Sequence, residues 1–178
     1  MPVRPEFAET TAVAYFQLIS EWHLDAPIDR VWRALTHFTH LPTWWPSLEL
    51  ADRVHGSDEE VRDCVRGALG TTVRFTQHTE LLRAPELMQF RVEGDLVGSG
   101  LLALLDEDDA TRVMLSWNVD LTNPWFRALS RLPGMRAILA RTHSQAMEEG
   151  ERCLKAHLAK TTLRSVPLEL LRGGELTR

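Results

Sequence analysis

Cysteine is nearly absent from this 178-residue chain: Cys64 and Cys153 are the only two. They supply neither a disulfide framework nor the clustered spacing of a zinc site. Long hydrophobic runs are missing as well. None approaches the roughly 18 apolar residues that cross a bilayer. The opening residues MPVRPEFAETTAVAYFQL lack the uninterrupted apolar centre of a signal peptide. These features predict a cytoplasmic protein without stable membrane insertion. Positive charge is in deficit, with 20 Lys and Arg against 25 Asp and Glu and a formal charge of −5. No stretch interleaves basic and aromatic residues, which argues against nucleic-acid binding. A Ser-His-Asp order, a phosphate-binding glycine loop and a dinucleotide fingerprint are also missing. No cofactor and no metal centre are expected.

What is present suits one globular domain, with ordinary apolar and charged content and enough length for a sizeable core. Residues 1–13 read as a loose leader, 14–160 as the single domain, and 161–178 as a tail without clear period. From Tyr15 to Asp25 the chain alternates. Phe16, Leu18, Ser20, Trp22 and Leu24 share one face of a half-buried strand. DAPIDRVWRALTHF follows, with Asp25 as N-cap, Pro27 in the first turn, and Ile28, Val31, Trp32 and Leu35 on one helical face. Next comes HFTHLPTWWPSLE, residues 37–49, a short second helix cut by Pro42 and Pro46. Its adjacent Trp44 and Trp45 would diverge on any regular element. One is expected in the core, the other at solvent, a partner or a cavity mouth.

The period then becomes two. Strands are predicted near 48–55, 60–68, 71–83, 87–95, 99–106 and 111–121, separated by HGSDE, LGT, AP, GS and DEDDA. Such short connections imply an antiparallel meander. After Pro124 the period returns to 3.6. Met135, Leu139, Thr142, Ala146, Gly150, Cys153 and His157 stripe a helix running to about Ala159, after an earlier turn broken off at Pro133-Gly134. The order is strand, two short helices, six strands, one long helix: an α+β fold. The sheet's apolar face must be covered, and only the long helix is large enough. A strongly curved sheet around one helix leaves a space that becomes packed core or a ligand cavity.

Five segments together carry a family resemblance: DAPIDRVWRAL, PTWWP, GDLVGSG at 94–100, TRVMLSWNV at 111–119 and HSQAMEEGERCL at 143–154. In this order and spacing, from about residue 15 to 158, the chain resembles the START-like superfamily. That group is also called SRPBCC, or the polyketide cyclase/dehydrase and lipid-transport superfamily. It looks most like a cyclase-like subgroup of unknown reaction. The resemblance implies the helix-grip fold, a seven-stranded curved antiparallel sheet wrapped around a long C-terminal helix, with two short helices after the first strand. It also implies a cavity for a hydrophobic ligand, with the two short helices near its entrance.

Strand parity turns Trp22, Phe75, Gln77, Thr79, Phe90 and Trp117 inward, and the helix stripe adds Leu139 and His143. With Trp44 and Trp45 at the entrance, these are the candidate ligand-binding residues. Ser20, Gln77 and Thr79 are the uncharged polar points in an otherwise apolar wall, which suits a greasy ligand oriented by a few hydrogen bonds. The alternative is that all of them simply fill the core. His143, at the edge of the helix stripe, is the candidate catalytic residue, able to act as acid or base near neutral pH; a structural histidine is the competing reading. Asp63 shares the apolar parity of Val61 and Val65 and faces either the cavity or, through a bulge, solvent. His37 and His40 lack a third ligand of clear spacing. DEDDA at 106–110 reads as a solvated hairpin turn. Arg127, Arg131, Arg136 and Arg141 form a solvated face or a cationic rim for an anionic head group.

Three functions fit. The first is binding or carrying a small hydrophobic molecule, such as a lipid, isoprenoid or polyketide-like compound. The second is an enzyme of cyclase/dehydratase type, and the third a protein-interaction module with a vestigial cavity. The apolar lining favours the first. No exposed apolar stripe speaks for the third.

Overall fold

The structure is a computed structural model and describes residues 15–54, 60–66 and 70–165. Its strands are β1 (Tyr15–Leu24), β2 (Leu48–Arg53), β3 (Glu60–Arg66), β4 (Thr72–Arg83), β5 (Leu87–Gly94), β6 (Leu96–Glu107) and β7 (Ala110–Leu121). They form one antiparallel sheet in the order β1-β7-β6-β5-β4-β3-β2, curled into a half-barrel. The helices are α1 (Ile28–Thr36), α2 (Leu41–Trp44), α3 (Pro124–Ser130) and α4 (Met135–Ser165), with a 3-10 turn at Phe38–His40 before α2. The long α4 packs against the concave face. The α+β class expected from the element order, and the helix-grip architecture that the resemblance implies, are therefore present. Among the described residues no helix is long and apolar enough to cross a membrane.

Alternation explains the sheet. On β5, Met88, Phe90 and Val92 are buried while Gln89, Arg91 and Glu93 are exposed, so one face feeds the core and the other meets water. Consecutive strands from β2 to β7 pair with their neighbours, and β1 closes onto β7 in unbroken register, with Leu18 opposite Trp117 and Trp22 opposite Val113. The DEDDA segment makes the tight β6–β7 hairpin. Glu107 pairs with Ala110, and Asp108 takes the left-handed conformation at φ 60°.

Several local expectations are corrected. Asp25 is not the N-cap of α1. The helix starts at Ile28, and Pro27 holds the cap position in extended conformation, because Ala26 N–H bonds Leu24 O at 2.8 Å and spends Asp25 on the turn out of β1. Strand β6 begins at Leu96, so Gly98 and Gly100 lie inside it and not in a turn. Their absent side chains serve close approach. A Cβ on Gly100 would sit 2.1 Å from the Phe90 ring, and one on Gly98 the same distance from the Asn118 carbonyl oxygen. The chain turns instead at Asp95, whose N–H donates to Arg74 O while its carboxylate accepts from Arg74 N–H and from the Asn123 side-chain amide. Helix α4 continues to Ser165, into the segment read as a tail; the leader and residues 166–178 lie outside the described residues, as do the HGSDE turn and residues 67–69. In the second half of α4 the buried positions are Gly150, Leu154 and Leu158, not His157.

Candidate functional site

Between α4 and the concave sheet lies a cavity of about 260 Å³. Strands β1 and β7 wall it with Phe16, Leu18, Trp22, Val113, Leu115 and Trp117, and β5 and β6 add Met88, Phe90, Leu96 and Leu102. Strands β3 and β4 contribute Asp63, Val65, Val73, Phe75 and Gln77. Helix α4 closes the space with Leu139, Thr142, His143, Ala146 and Met147. Phe126 and Leu129 of α3 border it too, as do Phe38, Leu41 and Trp45 from the segment after α1.

Trp45 is locked in place. Its indole N–H donates to the Ala146 carbonyl at 3.0 Å, and its ring crosses α4 at Gly150, where a Cβ would come within 2.6 Å of it. Trp22 meets it edge-on at 5.5 Å. Trp44 stacks on the far side of Trp45 at 5.7 Å, tilts toward the His157 ring at 5.9 Å, and does not line the cavity. Both tryptophans are buried: Trp44 packs in the core and Trp45 lines the cavity, the division expected of the pair, with neither turned to solvent. Helix α2 ends at Trp44, and Trp45 is extended at φ −112° and ψ 95°. The divergence of neighbours on a regular element therefore does not apply.

The polar inventory is small. Gln77 Nε2, Trp117 Nε1 and His143 Nε2 belong to lining residues, are buried, and have no hydrogen-bond partner among the described residues. Burial without a counter-charge holds the His143 imidazole below the usual histidine range, so it is neutral at pH 7. Asp63 faces the cavity and is 8% exposed; no bulge turns it out, since it pairs in register with Phe75. Burial pushes its carboxyl up to about 7. Asp63 and His143 make no ion pair with each other among the described residues. The remaining ionisable group in the wall is Arg66, whose Nε lies 3.3 Å from Glu49.

The structure thus brings Trp22, Trp45, Phe75, Gln77, Phe90, Trp117, Leu139 and His143 to one cavity, and leaves Trp44 and Thr79 outside it. Thr79 keeps inward parity opposite Phe90, and an extra residue shifts the register between Thr79 and Leu81; on β4 the residues that line the cavity are Val73, Phe75 and Gln77. Ser20 likewise lies off the cavity. The α3 residues Phe126 and Leu129 carried no sequence signal beyond the return of the helical period. His37 and His40 stack on each other at 3.9 Å away from the cavity. Of the arginines, Arg136 sits over the Phe16 ring at 5.3 Å, and Arg127, Arg131, Arg136 and Arg141 do not line the space. Trp125, Leu132 and Ile138 are exposed around the α3–α4 junction, an apolar group that the sequence reading did not anticipate. No cluster of three or more His, Cys, Asp or Glu able to hold a metal ion occurs among the described residues.

Solved structures share this fold. The chain is similar to a protein from Thermus thermophilus, with 23% identity and a TM-score of 0.64 over 80% of this chain and 99% of that one. It is similar to the Zhui aromatase/cyclase from Streptomyces sp. R1128, with 16% identity and a TM-score of 0.68 over 83% and 96%. It is also similar to a START superfamily protein from Mycobacterium smegmatis, with 12% identity and a TM-score of 0.63 over 82% and 98%. No curated protein matches it by sequence. The family model described as polyketide cyclase / dehydrase and lipid transport matches residues 16–159, and with that match spanning sheet, cavity and grip helix, the chain belongs to this family.

Proposed function

We propose that the protein binds and carries a small, largely apolar molecule in the cavity between α4 and the sheet. One observation supports this above others: an apolar space of about 260 Å³ in which Gln77 Nε2, Trp117 Nε1 and His143 Nε2 are buried without a partner among the described residues. A buried polar group left unsatisfied costs about 1–3 kcal/mol, and a ligand group that meets it recovers that cost. A lipid, isoprenoid or polyketide-like skeleton would lie against Trp22, Phe75, Phe90 and Leu139. Gln77, Trp117 and His143 would orient its polar end after small side-chain rotations. Trp22, Trp45 and Trp117 line the cavity, so titration with chemically varied apolar molecules should give saturable quenching of tryptophan fluorescence. A series in which no compound saturates would contradict the carrier reading.

A second reading, a cyclase or dehydratase, is favoured by the presence of Asp63 and His143 in one cavity. Burial raises the Asp63 carboxyl to about 7, so that it can hold a proton near neutral pH, and keeps the His143 imidazole neutral and able to accept one. His143 would remove a proton from carbon next to a ligand ketone, while protonated Asp63 would donate to the ketone oxygen, giving the enol. That the Streptomyces protein of similar fold is an aromatase/cyclase is in keeping with this chemistry. His143→Ala separates the readings. A carrier loses only some ligand affinity, whereas such an enzyme loses about 10²–10⁴-fold in turnover with binding retained.

A further inference from the structure

We propose that Asp63 makes the cavity a site for apolar amines, whose carbon skeleton fills the space and whose ammonium group pairs with the Asp63 carboxylate beside Phe75. The inference rests on the ligand-binding reading above and adds the head group. Asp63 sits mid-strand on β3, between Ala51 of β2 and Phe75 of β4 in the register. Its side chain is on the cavity wall, more than nine-tenths buried, with no hydrogen bond or ion pair to any described residue. A carboxyl buried in that way either holds its proton or, to ionise, needs a cation beside it.

The described residues supply none. Neighbouring strands turn Ala51, Phe75 and Gln77 toward the same side as Asp63, all uncharged. From α4 the facing ionisable group is His143, kept neutral by burial. Arg66 lines the cavity but engages Glu49, and no lysine lines it. The cross-strand neighbour of Asp63 is instead aromatic, Phe75, and it belongs to an aromatic cluster on the cavity wall. Phe75 meets Trp117 edge-on at 5.8 Å, and Trp117 meets Phe90 at 5.0 Å. Aromatic faces attract an ammonium ion, whereas a fatty carboxylate would be repelled by Asp63. The titration of Asp63 near neutrality adds a signature. An ammonium stabilises the ionised carboxyl, so amine binding releases a proton and strengthens as pH rises.

The test is calorimetric titration of the full chain with octylamine, octanol and octanoate at about pH 6 and pH 8. Octylamine is expected to bind about ten-fold or more tighter than octanol, with octanoate weakest. Octylamine affinity should rise from the lower to the higher pH while octanol affinity does not. In Asp63→Asn, octylamine should fall to the level of octanol and lose its pH dependence. The ranking in the unaltered protein is informative even if the variant folds poorly. Octanoate binding as tightly as octylamine, or an amine preference that survives in Asp63→Asn, overturns the role of Asp63 and leaves the ligand cavity standing. Failure of all three compounds to bind overturns both.

Discussion

The two sides of the cavity wall differ in kind. On the side of β1, β7, β6 and β5, inward residues pack against each other: Trp22 beside Val113, Leu18 beside Trp117, Phe90 over Gly100. Among the described residues that line the cavity on this side, the Trp117 indole N–H is the buried side-chain group left without a partner. The side of β3 and β4 mixes Val65, Val73 and Phe75 with Asp63 and Gln77, and His143 reaches the same space from α4. The first side stabilises the fold, by about 1.5–3 kcal/mol for each large side chain buried. The second side costs stability, because its polar groups have left water without finding partners. Truncating a large apolar side chain on the first side should therefore lower stability, and neutralising Asp63 on the second should raise it, while ligand binding suffers from either.

The largest expected effect is on the apolar side. Phe90 is 2% exposed, and Phe90→Ala should lower unfolding free energy in urea by about 3–5 kcal/mol. On the polar side the sign reverses. The folded-state pKa of Asp63 is raised from 3.8 to about 7, so the folded protein holds a proton that the unfolded chain releases. Its stability then falls as pH rises from about 4 to 7 and levels off above. Asp63→Asn should be more stable than the unaltered protein by about 1–3 kcal/mol at pH 8, with the gap closing toward pH 4. His143, with its depressed pKa, destabilises the fold as pH drops below its unfolded value. That slope is common to both proteins and cancels in their difference. An equal or lower stability of Asp63→Asn at pH 8 would break the comparison.

Gly150→Ala probes the contact between helix and tryptophan. The new Cβ would meet the Trp45 ring at 2.6 Å. Overpacking of about 1–3 kcal/mol, set against a helix-propensity gain of about 1 kcal/mol, leaves a net loss of about 1 kcal/mol. A shift in tryptophan emission should accompany it as the bond to Ala146 is lost. The smallest effect is that of His143→Ala, which should weaken binding of a cavity ligand by about 0.5–1.5 kcal/mol and leave urea stability nearly unchanged.

Much of the fold was legible because its pattern is local. Alternation marks β5 and β7 residue by residue, and the switch to a 3.6 period marks α4. What depends on contacts distant in sequence was not. Gly98 and Gly100 look like turn residues until Asn118 and Phe90 are seen against them. Thr79 has the right parity, but the residues of β4 that line the cavity are Val73, Phe75 and Gln77, and a one-residue register shift follows just beyond Thr79. Parity also left Asp63 with two open orientations, and only pairing with Phe75 fixes it inward. Which of Trp44 and Trp45 reaches the cavity was not legible, because a helix end, where the period argument fails, falls between them. Gly150 on the helix stripe was visible, but nothing in the sequence connects it to Trp45, far earlier in the chain.

The claim that the cavity exists to hold an apolar molecule is tested most directly by native mass spectrometry of the 20.3 kDa chain. Protein purified without added ligand would be measured as isolated, and again after incubation with a mixture of apolar amines, alcohols, ketones and acids. The expected result is a discrete 1:1 adduct in one or both samples, lost on organic extraction and richest in amines after the mixture. Bare chain alone in both samples would contradict it.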